Sequence, residues 1–393
     1  MIGGLPSSVA ILGSTGSVGV QAIDVALKNN IPVDLIAARS SIGRLEEQIR
    51  LLKPRICAVT DERAAKELSL RVKDTNTRIY AGNEGLTAAI DETAAPVAVN
   101  AIIGEAGLLP TLSVIKAGKR LALSNKESLV IAGELVMREA KNACTEIIPV
   151  DSEHSAIFQA LLSGKSSEVR RILLTASGGP FFGYTKEQLS HVTLADTLRH
   201  PTWKMGKKIT VDCATLMNKG FEVIEAAHLF RLPPKAVEVV VHRESIIHSA
   251  VEYIDNTVMA QMGTPDMRAC VQYALTYPLR TEGITERLDL FSVGALSFYR
   301  PDTEAFPLLS LAYAALSEGG AVPCVMNAAN EVAVAAFLSE RISFTDISDI
   351  VYDLTMDLRS QAKKMTSLEE ILSYDRIARA RAEERVAKIQ AGA

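Results

Sequence analysis

The feature that most constrains this chain is a glycine-rich turn that follows its first apolar segment. Residues 9–12 are apolar, residues 13–19 read GSTGSVG, and Val20, Ile23 and Leu27 then recur at helical spacing. This pattern predicts a strand, a turn and a helix. Glycines in such a unit let the backbone approach a pyrophosphate, whose charge faces free N–H groups and the helix dipole. The spacing is G-x-x-G-x-x-G, so a tight corner without a ligand is the alternative.

The second predicted strand, residues 33–37, indicates which nucleotide the turn would bind. A site selective for NAD usually carries an acidic residue near the end of that strand, where it holds the ribose 2′-hydroxyl. Here Arg39 and Ser40 follow the strand instead. A guanidinium and a hydroxyl suit a 2′-phosphate, which favours NADPH. The alternative is that Arg39 is an ordinary solvated charge in a loop.

Further predicted strands extend this unit into an α/β domain. Apolar segments at residues 56–59, 97–100 and 121–123 alternate with helical stretches, as in a parallel doubly wound sheet. The last segment is followed by the polar cluster SNKE at residues 124–127. Ligands bind beyond the carboxyl ends of strands in open α/β sheets, so cofactor and substrate are expected to meet at this cluster.

A pair of carboxylates follows the next predicted strand, residues 146–150. Asp151 and Glu153 lie two residues apart, and they can converge on one cation if the backbone is extended there. A solvated loop is the simpler explanation of this pair taken alone.

A polar helix face strengthens the case for a metal site. A helical conformation around residue 218 would place Asn218, Glu222 and Glu225 at i, i+4 and i+7, with Lys219 beside Glu222. Oxygen ligands without a thiolate favour Mg²⁺ or Mn²⁺ over Zn²⁺. A substrate with adjacent hydroxyl and carbonyl oxygens could chelate such an ion, which would act as a Lewis acid.

The segment 177–207 has the composition of a lid. It begins with Ser177 and a pair of glycines, contains a Thr185/Gln188 capping box, and includes the only tryptophan, Trp203, near its end. A lid would exclude water from a hydride or carbanion step. An ordinary surface loop with Trp203 as a packing anchor is the alternative.

The rest of the chain predicts a second sheet and a helical bundle. Strands are expected at residues 237–241, 246–253 and 257–262 in a mixed sheet, whose exposed edge could form a dimer contact. Four antiparallel helices are expected near the C-terminus. The predicted helices span residues 308–317, 324–338, 346–358 and 368–389.

The predicted fold class is therefore α/β, with several domains. The N-terminal domain is a Rossmann-like doubly wound sheet that binds NADPH. A central α+β catalytic domain contains the mixed sheet and the lid, and a linker connects it to a C-terminal four-helix bundle. The expected boundaries are 1–150, 151–277, 278–302 and 303–393.

Composition excludes several function classes. A net charge of −4 over 393 residues gives no reason to expect a nucleic-acid partner. No window approaches the ~20 apolar residues of a membrane span, so no membrane contact is expected. The five cysteines form no C-x-x-C pair, which suits a reducing cytoplasm and argues against a disulfide framework.

With these segments in order, the chain resembles the 1-deoxy-D-xylulose 5-phosphate reductoisomerase family over nearly its whole length. The motifs that carry the resemblance are GSTGSVG (13–19), SNKES (124–128), PVDSEHSAIFQ (149–159), LLTASGGPF (173–181), HPTWKMGKKI (200–209), NKGFEVIEA (218–226), VHRESIIHS (241–249), GTPDMR (263–268) and NAANE (327–331).

The resemblance implies an oxidoreductase and isomerase of the non-mevalonate isoprenoid pathway. Such an enzyme converts 1-deoxy-D-xylulose 5-phosphate to 2-C-methyl-D-erythritol 4-phosphate by a skeletal rearrangement followed by NADPH reduction. It uses a divalent cation, Mg²⁺ or Mn²⁺, with Co²⁺ as a further candidate, and a homodimer is expected. For the rearrangement a retro-aldol/aldol route is favoured over a ketol shift, although the sequence does not decide between them.

The resemblance also implies roles for individual residues. The cofactor contacts would be Gly13, Thr15, Gly16, Ser17, Val18, Ala38, Arg39, Ser40, Asn125, Glu127, Met205 and Gly206. The metal ligands would be Asp151, Glu153 and Glu222, which together with Lys126 form the expected catalytic set. The substrate contacts would be Lys126, Ser152, Glu153, Ser177, His200, Trp203, Cys213, Asn218, Lys219, Glu222, Ser245, His248 and Met267.

Two positions depart from the family pattern. Cys213 stands where a serine usually donates to the substrate phosphate, and a thiol is a poor donor. The residues Ala38, Arg39 and Ser40 stand where a glycine, a basic residue and an asparagine are common, but the positive charge is kept.

Two other functions are alternatives to the one that the resemblance implies. One is another NADP-dependent oxidoreductase, such as a semialdehyde or homoserine dehydrogenase, and the other is a non-catalytic NADPH-sensing protein.

Overall fold

The computed structural model of the protein describes residues 4–199 and 206–392. Its strands are β1 Val9–Leu12, β2 Val33–Ala38, β3 Ile56–Val59, β4 Arg78–Ala81, β5 Val97–Asn100, β6 Arg120–Leu123, β7 Ile147–Pro149, β8 Val169–Ala176, β9 Val237–Val241, β10 Ile247–Tyr253 and β11 Val258–Met262.

The described α-helices alternate with the strands in the first half of the chain and dominate the second half. They are α1 Ser17–Lys28, α2 Ile42–Leu52, α3 Glu62–Arg71, α4 Gly82–Glu92, α5 Leu108–Lys116, α6 Glu127–Asn142, α7 Ser152–Ala160, α8 Lys186–Leu189, α9 Leu194–Thr197, α10 Lys207–Ala214, α11 Met217–Phe230, α12 Met267–Thr276, α13 Leu290–Val293, α14 Pro307–Glu318, α15 Val322–Leu338, α16 Phe344–Ala362 and α17 Leu368–Gly392.

These elements form two compact units. The first contains the described residues up to Ser128 together with Val136–Phe158 and Asp266–Arg287. The second contains Leu129–Leu135, the described residues of Gln159–Pro265, and those from Leu288 onwards.

The first unit is built on a seven-stranded sheet of order β4-β3-β2-β1-β5-β6-β7, in which every neighbouring pair is parallel. Its inner strands, β1, β3 and β5 among them, are short apolar segments with every residue buried, as expected of a parallel sheet covered on both faces. Strand order reverses at β1, which lies between β2 and β5. Such a switch point is where open α/β sheets bind ligands.

The second unit contains a mixed four-stranded sheet of order β11-β10-β8-β9. The β8–β9 pair is parallel, whereas β10 pairs antiparallel with both β8 and β11. Helices α10 and α11 belong to this unit, as do α14–α17, which pack on one another. The expected fold class, a Rossmann-like parallel sheet with a second mixed sheet and C-terminal helices, is confirmed.

The structure adds elements that the sequence pattern did not predict. Strand β4 is an edge strand whose end residues, Arg78 and Ala81, are exposed, so it lacks an apolar signal. Strand β8 runs through the centre of the mixed sheet, but its first residues are Val169, Arg170 and Arg171, which hide its apolar second half. Helix α12 was also not predicted.

The backbone at Asp151 and Glu153 is not extended, which was the condition given for their convergence on one cation, and it is not a loop either. Asp151 precedes helix α7 and Glu153 lies in its first turn. The reason is local, because Asp151 Oδ1 accepts the Ser152 N–H at 3.0 Å and the Asp151 carbonyl accepts the Ser155 N–H at 2.8 Å. An aspartate whose side chain accepts one free N–H group of the first turn, and whose negative charge lies at the N-terminus, favours the helix.

Among the described residues, none of the helices is both long enough and apolar enough to span a bilayer.

Candidate active site

The glycine turn lies at the carboxyl end of β1 and is shaped by close backbone contacts. Gly13 has φ of +84°, and a Cβ there would lie 2.6 Å from the carbonyl oxygen of Ala101, which follows β5. A Cβ on Gly19 would collide with the carbonyl oxygen of Gly13. Only glycine fits at both positions. The first turn of α1 is thereby held against the end of β1, which leaves a surface that a pyrophosphate can approach.

Helix α2 braces this turn. Ser14 Oγ donates to Gln48 Oε1 at 2.7 Å, and Gln48 Nε2 donates back to the Ser14 carbonyl at 2.9 Å. Arg44 Nη1 donates to the Thr15 carbonyl at 2.9 Å. The buried Ser14 side chain is therefore structural, whereas Thr15 is half-buried and Ser17 is exposed.

Arg39 and Ser40 are exposed directly beyond the buried end of β2. The position matches the place where a doubly wound fold meets the adenosine ribose of a dinucleotide. The neighbouring Ala38 is 7% exposed. The structure therefore leaves the guanidinium of Arg39 accessible to a 2′-phosphate.

The SNKE cluster after β6 is held by a buried polar network. Asn100 Nδ2 donates to Thr111 Oγ1 at 2.8 Å, and Thr111 hydrogen-bonds Ser128 at 3.0 Å. Asn125 donates to the carbonyls of Ile102 and Gly104, and its Oδ1 accepts from the Ser128 N–H at 2.9 Å. The Asn125 side chain thus fixes the loop, and its expected contact with NADPH stays a prediction.

This loop places the Lys126 side chain beside the carboxylate of Asp151. Lys126 Nζ lies 2.6 Å from Asp151 Oδ2, and the two side chains are 9% and 16% exposed. Ser152 Oγ donates to Glu153 Oε2 at 2.5 Å in the first turn of α7. An ammonium, two carboxylates and a hydroxyl of the expected site therefore lie together within the first unit.

Cys270 on α12 is buried near these carboxylates, but it does not supply a thiolate. Burial raises the pKa of the Cys270 thiol to about 12, and the charges of Asp151 and Glu153 add to the rise. A protonated thiol is a poor metal ligand. The expected ligands Asp151, Glu153 and Glu222 are all carboxylates, which suits Mg²⁺ or Mn²⁺.

Helices α10 and α11 form a tight corner that carries the second polar group. Only Thr215 and Leu216 separate the helices, and Leu216 has φ of +59°. Asn218 Nδ2 donates to Glu222 Oε1 at 2.5 Å, and Lys219 Nζ pairs with Glu222 Oε2.

The polar face of α11 is almost completely buried. Asn218 is 9% exposed, Lys219 4%, Glu222 1% and Glu225 0%. Burial of charged groups is costly unless they are paired, so such a face is rarely kept without a function. The prediction that this segment is helical, with these side chains on one face, is confirmed.

One residue that contacts helix α10 was not among the site residues predicted from the sequence. Asn330, in the NAANE motif on α15, is fully buried, and its Nδ2 donates to Asp212 Oδ1 at 2.7 Å. Asp212 Oδ2 lies 2.9 Å from Lys208 Nζ. Asn330 and Asp212 are 118 residues apart in the sequence, so no local sequence pattern predicts their contact. Two asparagines in the largely apolar helix α15 could still have indicated that a polar contact forms there.

The other expected substrate residues occupy different parts of the structure. Ser177 and Cys213 are half-buried, whereas Ser245 and His248 are 8% and 6% exposed, all in the second unit. Met267 begins α12 in the first unit and is half-buried. Gly206 precedes α10 as its N-cap. His200, Trp203 and Met205 lie outside the described residues.

Each unit therefore offers a distinct chemistry. The first combines a glycine turn at a sheet switch point with Lys126, Asp151 and Glu153. The second offers a buried amide, ammonium and carboxylate on α11. Charge-assisted hydrogen bonds from such groups bind anionic and polyhydroxylated molecules strongly.

Three family models match the chain in sequence order. A model of 1-deoxy-D-xylulose 5-phosphate reductoisomerase matches residues 9–133. A model of the C-terminal domain of that enzyme matches residues 147–230, and a further DXP reductoisomerase C-terminal domain model matches residues 262–381.

Individual relatives match over almost the full chain. The 1-deoxy-D-xylulose 5-phosphate reductoisomerase of Chlorobium phaeobacteroides is 51% identical over 374 residues, or 95% of this chain and 97% of the relative. The solved Zymomonas mobilis enzyme in complex with NADPH has a TM-score of 0.91 and 40% identity, covering 97% of this chain and 99% of its own. DOX-P reductoisomerase with NADPH, fosmidomycin and magnesium has a TM-score of 0.92 and 37% identity, covering 98% and 99%. The chain therefore belongs to the 1-deoxy-D-xylulose 5-phosphate reductoisomerase family.

Proposed function

We propose that the protein converts 1-deoxy-D-xylulose 5-phosphate to 2-C-methyl-D-erythritol 4-phosphate with NADPH and a divalent cation. The observation that carries the proposal is the buried polar face of α11 in a chain of this family. Asn218, Lys219 and Glu222 are each at least nine-tenths buried and joined to one another.

NADPH binds at the glycine turn. Gly13, Thr15, Gly16, Ser17 and Val18 meet the pyrophosphate, and Ala38, Arg39 and Ser40 meet the 2′-phosphate end. Asn125, Glu127, Met205 and Gly206 complete the proposed contacts. The crowded backbone at Gly13 and Gly19 supports this assignment, since a Cβ at either position would meet a carbonyl oxygen.

The cation is held by Asp151, Glu153 and Glu222. All three are carboxylates, and the two on the first unit lie at the start of α7, where Asp151 is paired with Lys126. This donor set fits Mg²⁺ or Mn²⁺, and Co²⁺ is a further candidate. When bound, such an ion polarises neighbouring substrate oxygens as a Lewis acid, and NADPH supplies the hydride.

The remaining residues bind and orient the substrate. Ser177, Cys213, Asn218 and Lys219 contact its phosphate end, and Ser152 and Glu153 contact its hydroxyl groups. His200, Trp203, Ser245, His248 and Met267 border it, with Trp203 as part of the lid. Lys126 keeps a positive charge beside Asp151 and donates hydrogen bonds to substrate oxygens.

The test is NADPH oxidation with 1-deoxy-D-xylulose 5-phosphate and Mg²⁺ or Mn²⁺, with and without a chelator. We expect turnover that the chelator abolishes and that added metal restores. Turnover that ignored the chelator would overturn the metal assignment, and NADPH binding without turnover on any pentulose phosphate would favour a regulatory protein.

A matched pair of variants sharpens the metal assignment. Glu222→Gln removes one proposed ligand, and we expect it to abolish metal-dependent turnover. Glu238→Gln, which loses a surface ion pair with Arg171 on the mixed sheet, should retain wild-type turnover.

We also propose that the protein is a cytoplasmic homodimer. Strand β11 is an edge of the mixed sheet, and Val258, Met259 and Met262 on it are 48%, 38% and 37% exposed. An apolar edge strand is a template for pairing with another chain. Sedimentation equilibrium tests this, because Met259→Lys should shift the mass from dimer towards monomer if the edge forms the contact.

A further inference from the structure

The loop that follows β8 has an unusual backbone. Gly178, Gly179 and Gly183 have φ values of +76°, +67° and +84°, and the first two follow Ser177 directly. Residues with positive φ do not continue a strand, so other groups must hold this loop in place.

Arg243 supplies that support. Its Nη1 donates to the carbonyl of Ser177 and to the carbonyl of Gly179, both at 2.7 Å. Its guanidinium also lies over the ring of Phe182, 5.1 Å from the centroid. One guanidinium nitrogen therefore binds both carbonyl groups of the loop, while the group lies over the ring of Phe182, a contact to which a guanidinium is suited.

The opposite side of the loop rests on α10. A Cβ on Gly179 would lie 2.6 Å from the carbonyl oxygen of Cys213, and one on Gly178 would lie 2.9 Å from Val241 Cγ1. The glycine pair is thus packed between Arg243 and Cys213. Two residues expected at the substrate phosphate, Ser177 and Cys213, are coupled through this contact.

The backbone turn that carries Arg243 is held by hydrogen bonds to the neighbouring histidine. The neighbouring His242 is fully buried, and its Nε2 accepts the N–H groups of Ile246 and Ile247 at 3.2 and 3.1 Å. On the other side of the ring, Nδ1 lies 2.9 Å from the Ser297 carbonyl oxygen and 3.0 Å from Glu244 Oε2. The starting point of the Arg243 side chain is therefore fixed.

We propose that Arg243 is a positioning residue for the substrate phosphate. Through the carbonyl groups of Ser177 and Gly179 it holds this loop beside Cys213, and its guanidinium adds a positive charge next to the loop. The loop is thereby organised before an anion arrives, so less ordering is needed on binding. The proposal rests on the proposed function, because it takes Ser177 as a phosphate contact.

The experiment compares three variants by steady-state kinetics and by inhibition with inorganic phosphate. Arg243→Met removes the hydrogen bonds and the charge, whereas Arg243→Lys keeps the charge and a donor nitrogen but loses the planar guanidinium that lies over Phe182. Arg170→Met is the matched control. Arg170 is also half-exposed in the second unit and donates to the Ile254 carbonyl at 2.7 Å, but it lies at the start of β8, at the opposite end of the strand from the loop.

We expect Arg243→Met to raise the KM for 1-deoxy-D-xylulose 5-phosphate and the inhibition constant of phosphate by roughly ten- to a hundredfold, as for lost hydrogen bonds of a charged donor. The KM for NADPH should stay within about twofold of wild type, because the glycine turn is untouched. Arg243→Lys should recover only part of the loss. Arg170→Met should lower Tm by about as much as Arg243→Met does. It should leave the KM for 1-deoxy-D-xylulose 5-phosphate and the inhibition constant of phosphate unchanged.

Three outcomes would overturn the proposal. One is a folded Arg243→Met enzyme with wild-type constants for substrate and phosphate. Another is an equal rise in the KM for NADPH, which would indicate general disruption. The third is full recovery in Arg243→Lys, which would show that the planar guanidinium and its contact with Phe182 are not needed. If the wild-type enzyme itself does not turn over 1-deoxy-D-xylulose 5-phosphate, the proposed function fails, whatever the variants show.

Discussion

Lys126 Nζ lies 2.6 Å from Asp151 Oδ2, and both side chains are largely buried. Lys126 comes from the loop after β6, whereas Asp151 precedes α7, so two neighbouring strands of the parallel sheet deliver the pair. The ammonium faces a carboxylate that we assign to the cation. In the proposed site, Lys126 and the cation would therefore both place a positive charge beside Asp151.

Replacing Lys126 should separate catalysis from metal binding. We expect Lys126→Met to lower kcat about a hundredfold or more, because a positioned proton donor and hydrogen-bond donor is lost. Removal of a neighbouring positive charge should leave the affinity for Mn²⁺ unchanged or raise it. Metal titrations followed by turnover measure both. Lys116→Met, at an exposed lysine of α5, is the control, and a large loss of Mn²⁺ affinity in Lys126→Met would contradict the electrostatic argument.

Cys213 offers a substitution that should improve the enzyme. Cys213→Ser restores a hydroxyl donor at the proposed phosphate contact, whereas a thiol donates weakly. We expect the KM for 1-deoxy-D-xylulose 5-phosphate to fall by as much as about tenfold or to stay unchanged. Cys144→Ser, at an exposed cysteine beyond α6, is the control. A large increase in KM for Cys213→Ser would refute the assignment.

Arg39 should determine the choice of cofactor. We expect Arg39→Ala to raise the KM for NADPH by roughly ten- to a hundredfold, because a hydrogen bond between charged groups is lost. The KM for NADH should change little, since NADH has no 2′-phosphate. The measurement is the ratio of kcat/KM for the two cofactors. An unchanged ratio would mean that Arg39 is only a solvated loop charge.

Asn330 should stabilise the protein through its contact with α10. Asn330→Ala leaves the buried Asp212 with one hydrogen bond fewer, and we expect the free energy of unfolding to fall by about 1–3 kcal/mol. Denaturant unfolding measures the change. Asn327→Ala, one turn earlier on α15, loses a 3.2 Å bond to the Glu331 side chain but makes no bond to α10. If Asn330 positions the α10–α11 corner, only Asn330→Ala should also raise the KM for substrate.

His228 should make stability depend on pH. Burial lowers its pKa below the ordinary value of 6.5, although the charge of Glu134 opposes this. The unfolded chain then takes up a proton first as pH falls, so stability is lost below about pH 6.5 until the folded pKa is reached. We expect the unfolding free energy of wild type to fall more steeply than that of His228→Gln between about pH 7.5 and pH 5.5. Parallel curves would show that His228 does not contribute.

The sequence predicted the parts of the molecule that depend on local patterns. The glycine turn, the buried strands of the first sheet and the polar face of α11 each follow from short-range spacing, and the family resemblance is confirmed by the comparisons. What the sequence could not indicate depends on long-range contacts. Arg243 reaches the carbonyls of Ser177 and Gly179 over more than sixty residues, and Asn330 reaches Asp212 from another helix.

Errors arose where a local preference competes with a broader pattern. For Asp151 and Glu153 taken alone a solvated loop was the simpler explanation, but Asp151 lies directly before a helix and its side chain accepts a first-turn N–H group. The predicted start of α16 after Thr345 differs for the same reason, since Ser343 caps the helix by accepting the Asp346 N–H. Single capping residues decide such boundaries, and their effect of about 1 kcal/mol is invisible to apolar periodicity.

The two-residue corner between α10 and α11 has a consequence for how this enzyme can change over generations. Cys213 lies in the last turn of one helix, Asn218, Lys219 and Glu222 lie in the first two turns of the next, and Leu216 between them has a positive φ. A mutation that reshapes one helix cannot leave the other undisturbed. Selection for a different anionic tail, or for escape from a competitive inhibitor, would therefore also alter the group proposed to serve the metal, so adaptation at this corner should require paired substitutions.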